Sequence, residues 1–376
     1  MTDEPLRVGV LGYRFMGEAH TNALDRLETF FPDAPATEKA VLVGRDETAL
    51  TAAGDRLGFT ETATDWRSVV DSVDVFYNLG PNHLHVEPSI AALDAGTHVL
   101  CEKPLAPGLD GAERMRAAAA ASDAVAGVAF NYRFVPAIQY VKGLIDDGEL
   151  GEIRQVRGRY LQDWLSDPEA PWSWRVNAEA AGSGALGDLG AHTLDLARFL
   201  VDDHAGPVER VSGHCQTFTE ERPVPETDET RPVTVDDAYS AQVAFANGAV
   251  GTFEASRVAE GHKNDHTITV HGSDGSVSFS LERLNELRVK TDGRGYETVL
   301  VTEESDPYVD HWWPPGHVLG WEHTFVHENY EFLSAVAGGE RFRPSFADGY
   351  AVQRLLDAVQ RSDDRGEWVD FSVSDR

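Results

Sequence analysis

The chain is short of cysteine, short of lysine and without any long apolar run. Only two of its 376 residues are cysteines, Cys101 and Cys215. No disulfide framework follows, and a reducing cytoplasm is the expected setting. Both thiols are expected to behave as small buried hydrophobes. No stretch of about 18 apolar residues occurs, which excludes a membrane-spanning helix. Met1–Pro5 offers neither the basic nor the apolar part of a secretory leader, so none is expected. Bases are scarce, with 32 Lys and Arg against 63 Asp and Glu, a formal charge of −31. Only five of the bases are lysines: 39, 103, 142, 263 and 290. Such a surface repels nucleic acid and anionic membrane, so neither is an expected partner. The apolar fraction is an ordinary 41%, so the acidity does not signal disorder. Acid-rich, lysine-poor surfaces suit a salt-loaded, halophilic cytoplasm, where screening shortens to about 3 Å at 1 M.

What the chain has instead is two contrasting periodicities. Up to residue 130, short apolar runs alternate with helical patterns. Strands are expected at 7–11, 41–43, 73–79, 98–101 and 125–130, and helices at 17–27, 47–57 and from about 82. Apolar strands separated by helices imply a parallel sheet covered on both faces, with right-handed crossovers. Residues 1–130 are therefore read as a doubly wound Rossmann domain. Beyond it a helix over 137–145 and a longer one over 188–200 precede a succession of alternating segments. These fall at 208–218, 238–245, 249–258, 267–271, 276–281, 286–290 and 297–301. Residues 131–376 are read as an α+β domain with a large, mostly antiparallel, open-faced sheet. Helices near 323–336 and 348–360 end it, and the last can pack back on the first domain. Asn247-Gly248 predicts a type I′ hairpin, and the Glu-, Thr- and Pro-rich stretch 219–235 a solvated loop.

Four places in this pattern can carry chemistry. The first strand runs into Gly12-Tyr13-Arg14-Phe15-Met16-Gly17 and a helix, the setting in which backbone N–H groups bind pyrophosphate. Arg14 stands where the middle glycine of the fingerprint is expected. Strand two ends Val43-Gly44-Arg45-Asp46. Arg45 favours the 2′-phosphate of NADP, while Asp46 keeps NAD open by bending back to a ribose. Glu102 and Lys103 follow a strand at the carboxyl edge of the sheet, where ligands of such folds sit. Asp188 and His192 lie four apart, one turn and one face if Asp188 opens its helix. His323 and His327 share that spacing without a third ligand and are expected at a surface or interface, so no metal is assigned.

Gly12…Met16-Gly17-x-x-His20, Pro81-Asn82-His83-Leu84-His85, Glu102-Lys103-Pro104 and Asp188-x-x-x-His192 together resemble the Gfo/Idh/MocA oxidoreductases, in order and over nearly the whole chain. The resemblance implies an NAD(P)-dependent dehydrogenase acting on a secondary alcohol of a sugar, anhydrosugar or cyclic polyol. It implies Lys103, Asp188 and His192 as catalytic residues. Pro81, Asn82, His85 and Glu102 then face the cofactor with the glycine turn, Glu102 on the nicotinamide ribose. Tyr132, Tyr160, Gln162 and Trp164 join Lys103, Asp188 and His192 on the substrate side, and Trp174-Arg175 packs on sugar or nicotinamide. It also implies a homodimer or homotetramer formed through the C-terminal sheet. A lysine holds its proton too tightly to be a good base at neutral pH. His192 is therefore the expected base, Lys103 the hydrogen-bond donor to the reacting oxygen and the direct alternative. NAD-dependent, redox-assisted glycoside cleavage and a non-catalytic dinucleotide-binding regulator are the competing readings.

Overall fold

In a computed structural model that describes residues 4–371, the expected alternation resolves as follows. Met1–Asp3, part of the segment read for a leader, lie outside the described residues. The chain runs β1 (Leu6–Leu11), α1 (Phe15–Phe30), β2 (Thr37–Val43), α2 (Glu47–Leu57), β3 (Glu61–Ala63), β4 (Val75–Asn78), α3 (Val86–Asp94), β5 (His98–Cys101), α4 (Leu109–Ala121) and β6 (Ala126–Val128). It continues with α5 (Pro136–Asp146), β7 (Ile153–Leu161), α6 (Ala178–Ala181), α7 (Ala191–Ala205), β8 (Val208–Gln216), β9 (Glu221–Pro223) and β10 (Thr230–Pro232). Then come β11 (Ala238–Phe245), β12 (Val250–Ser256), β13 (Asp265–Gly272), β14 (Ser276–Ser280), β15 (Glu286–Lys290) and β16 (Glu297–Leu300). The helices α8 (His323–Gly338) and α9 (Phe346–Arg365) and the short β17 (Val369–Asp370) complete it. No described helix is long and apolar enough to cross a membrane.

By compactness the chain forms two units. The first takes the chain to Asn131 together with Gly320–Ala351, and the second takes Tyr132–Leu319 and the chain from Val352. The helix that returns to the first unit is thus α8, with only the opening residues of α9.

The first unit holds a six-stranded parallel sheet in the order β3-β2-β1-β4-β5-β6. This is the doubly wound order, whose switch point lies between β1 and β4. All four residues of β4 and the inner residues of β1 are buried. That burial is why these strands read as continuous apolar runs rather than alternating ones. On α1 sits α8, where Phe31 meets Tyr330 at 4.6 Å between ring centroids and Tyr330 donates to Asp33 at 2.7 Å.

The second unit holds a nine-stranded sheet, β16-β15-β14-β13-β7-β12-β11-β8-β17. Every neighbouring pair is antiparallel except β7 with β12. One face lies under α7. The other presents Arg157, Arg159, Gln242, Glu254, Thr267 and Thr269, among others, along a shallow trough of about 820 Å³.

Three local expectations need correction. Asn247 does not take the positive φ that a type I′ turn demands. Only Gly248 does (+88°), in a three-residue turn closed by Phe245 N–H to Ala249 O at 2.9 Å. The stretch 219–235 is not simply solvated. It contains the β9–β10 hairpin and Arg222, whose side chain is fully buried and donates to the carbonyls of Leu165 and Asp167, both at 2.8 Å. Cys215 is part-exposed rather than buried.

Candidate active site

The first unit's site begins where β1 ends. Gly12 has φ +105°, and a Cβ there would come within 2.7 Å of the Leu79 carbonyl oxygen. A Cβ on Gly17 would lie 2.2 Å from the Gly12 oxygen, so both glycines are required by close backbone approach. Arg14 is the exposed N-cap residue of α1 and makes no side-chain bond to the helix. The N–H groups of Phe15 and Met16 therefore open a long helix without a side-chain cap, at its positive end. This cradle fits a pyrophosphate. Phe15 is 63% exposed and stacks on Trp321, centroids 5.4 Å apart and planes within 10°.

At the end of β2 the side chains expected near a ribose are already occupied. A Cβ on Gly44 would fall 2.2 Å from Tyr13 Cε1, so the Tyr13 ring fills the place of a strand-end side chain. Asp46 caps α2, accepting from Ala49 N at 3.0 Å, which commits it to the helix rather than to a ribose. Arg45 is exposed beside His83, whose pKa is lowered by partial burial and then by the Arg45 charge.

His85 was expected at the cofactor, yet its ring is fully buried and spent on the backbone. Nδ1 reaches Pro104 O at 2.9 Å and Nε2 reaches Gly80 O at 3.0 Å. It ties the turn that carries Pro81 and Asn82 to the segment that carries Lys103. Burial lowers its pKa, against the pull of the two carbonyls. After β5 the chain delivers Cys101 into the core, then Glu102, 5% exposed, and the half-buried Lys103. Glu102 Oε2 accepts from Lys103 N at 3.0 Å, and its Oε1 lies 3.5 Å from His20 Nε2.

The second unit gathers the other site residues around His192. Asp188 does not open α7 as expected. It lies inside a five-residue π-helical turn, Leu186–Gly190, that leads into it. Such turns distort regular helix spacing and recur at functional sites. The turn is held by the buried Asp236, which accepts from Gly184 N at 2.7 Å and Leu186 N at 2.8 Å. A Cβ on Gly190 would sit 2.7 Å from the Tyr239 ring, so the glycine lets this turn rest on β11. Burial raises the Asp236 pKa although both amides oppose it.

His192 is 7% exposed, with Tyr132 at 4.7 Å, Tyr160 at 6.1 Å and His266 at 6.5 Å between centroids. Tyr160 O–H donates to Asn264 Oδ1 at 2.7 Å, as does Gln162 Nε2 at 2.7 Å. The Tyr160 proton being used, the 2.9 Å contact between the two phenols is a bond donated by Tyr132. Burial first, then Tyr132 and the Asp188 carboxylate, raise the Tyr160 pKa well above that of a free phenol. His266 stacks on Tyr160 at 4.4 Å and contacts Thr193 Oγ1 at 3.2 Å, and burial pushes its pKa down to about 3. Trp164 is 43% exposed. The buried Arg257 lies over the Trp164 ring at 5.7 Å and donates to Arg175 O at 3.1 Å. The Arg175 guanidinium covers the Trp174 ring at 4.6 Å.

His20, Asn264 and His266 were not assigned roles from sequence. Asn264 and His266 sit in a polar run, His262-Lys263-Asn264-Asp265-His266, that reads as a solvated turn until β13 is seen to pair with β7. His323 and His327 prove buried rather than superficial, His323 Nδ1 accepting from Gly320 N at 3.1 Å. No group of three or more His, Cys, Asp or Glu side chains able to hold a metal occurs among the described residues.

Residues 6–130 match the oxidoreductase family with an NAD-binding Rossmann fold, Gfo/Idh/MocA, and residues 138–278 match the Gfo/Idh/MocA C-terminal domain. The chain is 41% identical to the levoglucosan dehydrogenase of Pseudarthrobacter phenanthrenivorans, over 97% of this chain and 98% of that protein. A solved levoglucosan dehydrogenase in complex with NADH and levoglucosan superposes with a TM-score of 0.93 at 41% identity, covering 98% of this chain and all (100%) of the other. An oxidoreductase domain protein from Kribbella flavida superposes equally well, with a TM-score of 0.93 at 46% identity over 98% and 99% of the two chains. With the glycine cradle in one unit and the histidine–tyrosine cluster in the other, these matches make the chain a member of the Gfo/Idh/MocA family of oxidoreductases.

Proposed function

We propose that the protein is a cytoplasmic NAD(P)-dependent dehydrogenase that oxidises a secondary alcohol carbon of a sugar, anhydrosugar or cyclic polyol. The observation that carries this reading is the chain Tyr132–Tyr160–Asn264–Gln162 beside His192, its two phenols buried and its two amides part-exposed. It is a set of neutral hydroxyl and amide groups backed by aromatic rings, the chemistry that recognises a polyhydroxylated ring. Bound nicotinamide would supply the hydride acceptor. Lys103 donates a hydrogen bond to the reacting oxygen and steadies its growing negative charge. His192 takes the hydroxyl proton, and Asp188 orients neighbouring hydroxyls. The amides of Phe15 and Met16 hold the pyrophosphate with Arg14 beside them, Pro81 and Asn82 border the cofactor, and Glu102 holds the nicotinamide ribose. Trp164 closes the sugar side, and Trp174 and Arg175 pack on the sugar or the nicotinamide.

NADP is the preferred cofactor in this reading. Asp46 is occupied as a helix cap, Tyr13 fills the strand end, and the exposed Arg45 offers a cation for a 2′-phosphate. The open sheet face serves a homodimer or homotetramer, which sedimentation velocity would measure. The charge of −31 fits a salt-rich solvent, in which prolonged dialysis to dilute buffer lowers activity. The deciding assay incubates the protein in molar salt with NAD or NADP and a panel of sugars, anhydrosugars and cyclic polyols. Reduced-nicotinamide absorbance is expected with at least one pair. Its absence throughout, with cleavage of a chromogenic glycoside, would replace this reading by redox-assisted glycoside hydrolysis.

A further inference from the structure

Glu102 faces a histidine through a hydrogen-bond chain whose far end is on α8, more than two hundred residues away in sequence. Tyr77, Asn329 and His20 are fully buried. Tyr77 O–H donates to Asn329 Oδ1 at 2.6 Å. Burial and the Glu328 carboxylate push the Tyr77 pKa well up, so the phenol keeps its proton and remains a donor. The Asn329 amide nitrogen then has two hydrogens to place. One goes to Phe325 O at 2.7 Å and the other to His20 Nδ1 at 3.1 Å. With all its groups assigned, Asn329 cannot be flipped without losing its bonds. Its amide can only donate to His20, so Nδ1 is an acceptor and the imidazole proton belongs on Nε2. That nitrogen points at Glu102 Oε1, 3.5 Å away, and neither atom has a hydrogen-bond partner among the described residues. The rings of Tyr77, at 5.6 Å, and Phe325, at 5.1 Å, meet His20 edgewise.

We propose that Tyr77, Asn329 and His20 are positioning residues that hold the Glu102 carboxylate, through a neutral Nε2–H histidine, in the orientation that grips the cofactor's nicotinamide ribose. The inference rests on the reading of Glu102 as the ribose ligand. The backbone N–H of Lys103 fixes one carboxylate oxygen, and His20 Nε2 faces the other at 3.5 Å. In the proposed relay a carboxylate so flanked presents its remaining lone pairs in one direction, beside the residue that meets the reacting oxygen.

Two measurements on the full chain test this. In protein labelled with ¹⁵N-histidine, long-range proton–nitrogen spectra report the tautomer of the His20 ring, assigned by its disappearance in His20→Gln. A neutral ring protonated at Nε2, and perturbed on adding NADH or NADPH, is expected. A ring protonated at Nδ1, or at both nitrogens, overturns the relay. Fluorescence titration with the reduced cofactors supplies the second readout. His20→Leu and Asn329→Leu should weaken the better-bound cofactor about tenfold, the scale of one lost bond to a charged group. The sugar KM should stay within about twofold on the same scale. His20→Gln, which still offers an N–H to Glu102, should recover most of the loss, as a general destabilisation would not. Undiminished binding in His20→Leu beside weakened binding in Glu102→Gln overturns the relay alone. Undiminished binding in Glu102→Gln removes the ribose reading on which it rests.

Discussion

Each unit carries a hydrogen-bonded chain through a buried tyrosine and an asparagine, with a histidine against it, and the two end differently. In the first unit Tyr77, Asn329 and His20 lead to the Glu102 carboxylate, next to a lysine. In the second, Tyr132, Tyr160, Asn264 and Gln162 contain no formal charge, and their histidine, His266, stays neutral down to a pKa of about 3. A cofactor with phosphates and a cationic ring calls for oriented amides and placed charges. A sugar calls for neutral donors and acceptors in fixed directions, where a stray charge would go uncompensated. On the proposed function, the division is one between charge placement and hydroxyl recognition.

The largest effect expected from breaking the charged half is on the chemical step. Lys103→Met should lower kcat about a thousandfold, within the range for a lost acid–base or electrostatic group. NADH or NADPH titration should show the variant still binding its cofactor within a few-fold. A kcat that falls less than about tenfold would move the proton chemistry wholly to the neutral half.

The neutral half can be tested through pH. His266 titrates at about 3 when folded and near 6.5 when unfolded. Below about pH 6.5 the unfolded chain takes a proton that the folded chain refuses, so this residue costs stability as pH falls from 6.5 toward 3. By about pH 4.5 the loss is roughly 2–3 kcal/mol. His266→Phe keeps a ring stacked on Tyr160 and removes the titration. Urea unfolding at about pH 7 and pH 4.5 should then show a smaller acid loss by that amount. Equal losses in the two proteins would mean that His266 is not held neutral.

On the proposed function, Arg45 extends the charged half to the adenosine end. Arg45→Ala should weaken NADPH about tenfold or more, as one charge-assisted contact, and leave NADH within about twofold. Loss of both cofactors alike would return Arg45 to the helix-capping loop as a structural residue and leave the choice of cofactor to Tyr13.

The cofactor half was the more legible in sequence, for a physical reason. Backbone geometry imposes glycine where Gly12 and Gly17 stand, and strands covered on both faces must be apolar along their length, so β1, β4 and β5 announce themselves. The central strand of the second sheet did not. Ile153–Leu161 carries arginines at 154, 157 and 159, and its alternation slips at a bulge where Gln155 pairs with His271 but Ile153 with Gly272. Without that strand, Asn264 and His266 have no partner in view, and the neutral chain cannot be assembled from sequence. His20 was visible in the motif after Gly17, but its tautomer depends on Asn329, and no spacing joins positions 20 and 329. Asp188 and His192 were legible as residues, not as geometry, because the π-helical turn replaces the regular helical spacing assumed for them.

The smallest effect expected is also the one that divides the two halves most finely. Tyr160→Phe removes one hydroxyl from the neutral chain, so Tyr132 loses its acceptor and Asn264 one of its two donors. The aromatic ring and its stacking on His266 remain. A neutral bond of this kind contributes about 1 kcal/mol, so the sugar KM should rise about fivefold. Cofactor affinity should not move. Because the Asn264 side-chain oxygen would then keep only the bond from Gln162, Gln162→Leu added to Tyr160→Phe should cost more than the two changes taken separately. Strict additivity would mean that Tyr160 and Gln162 act on the sugar independently, and the chain would then be a set of separate contacts. A matching rise in the cofactor KM would mean that the neutral chain also bears on the nicotinamide, and the division between the halves would have to be redrawn.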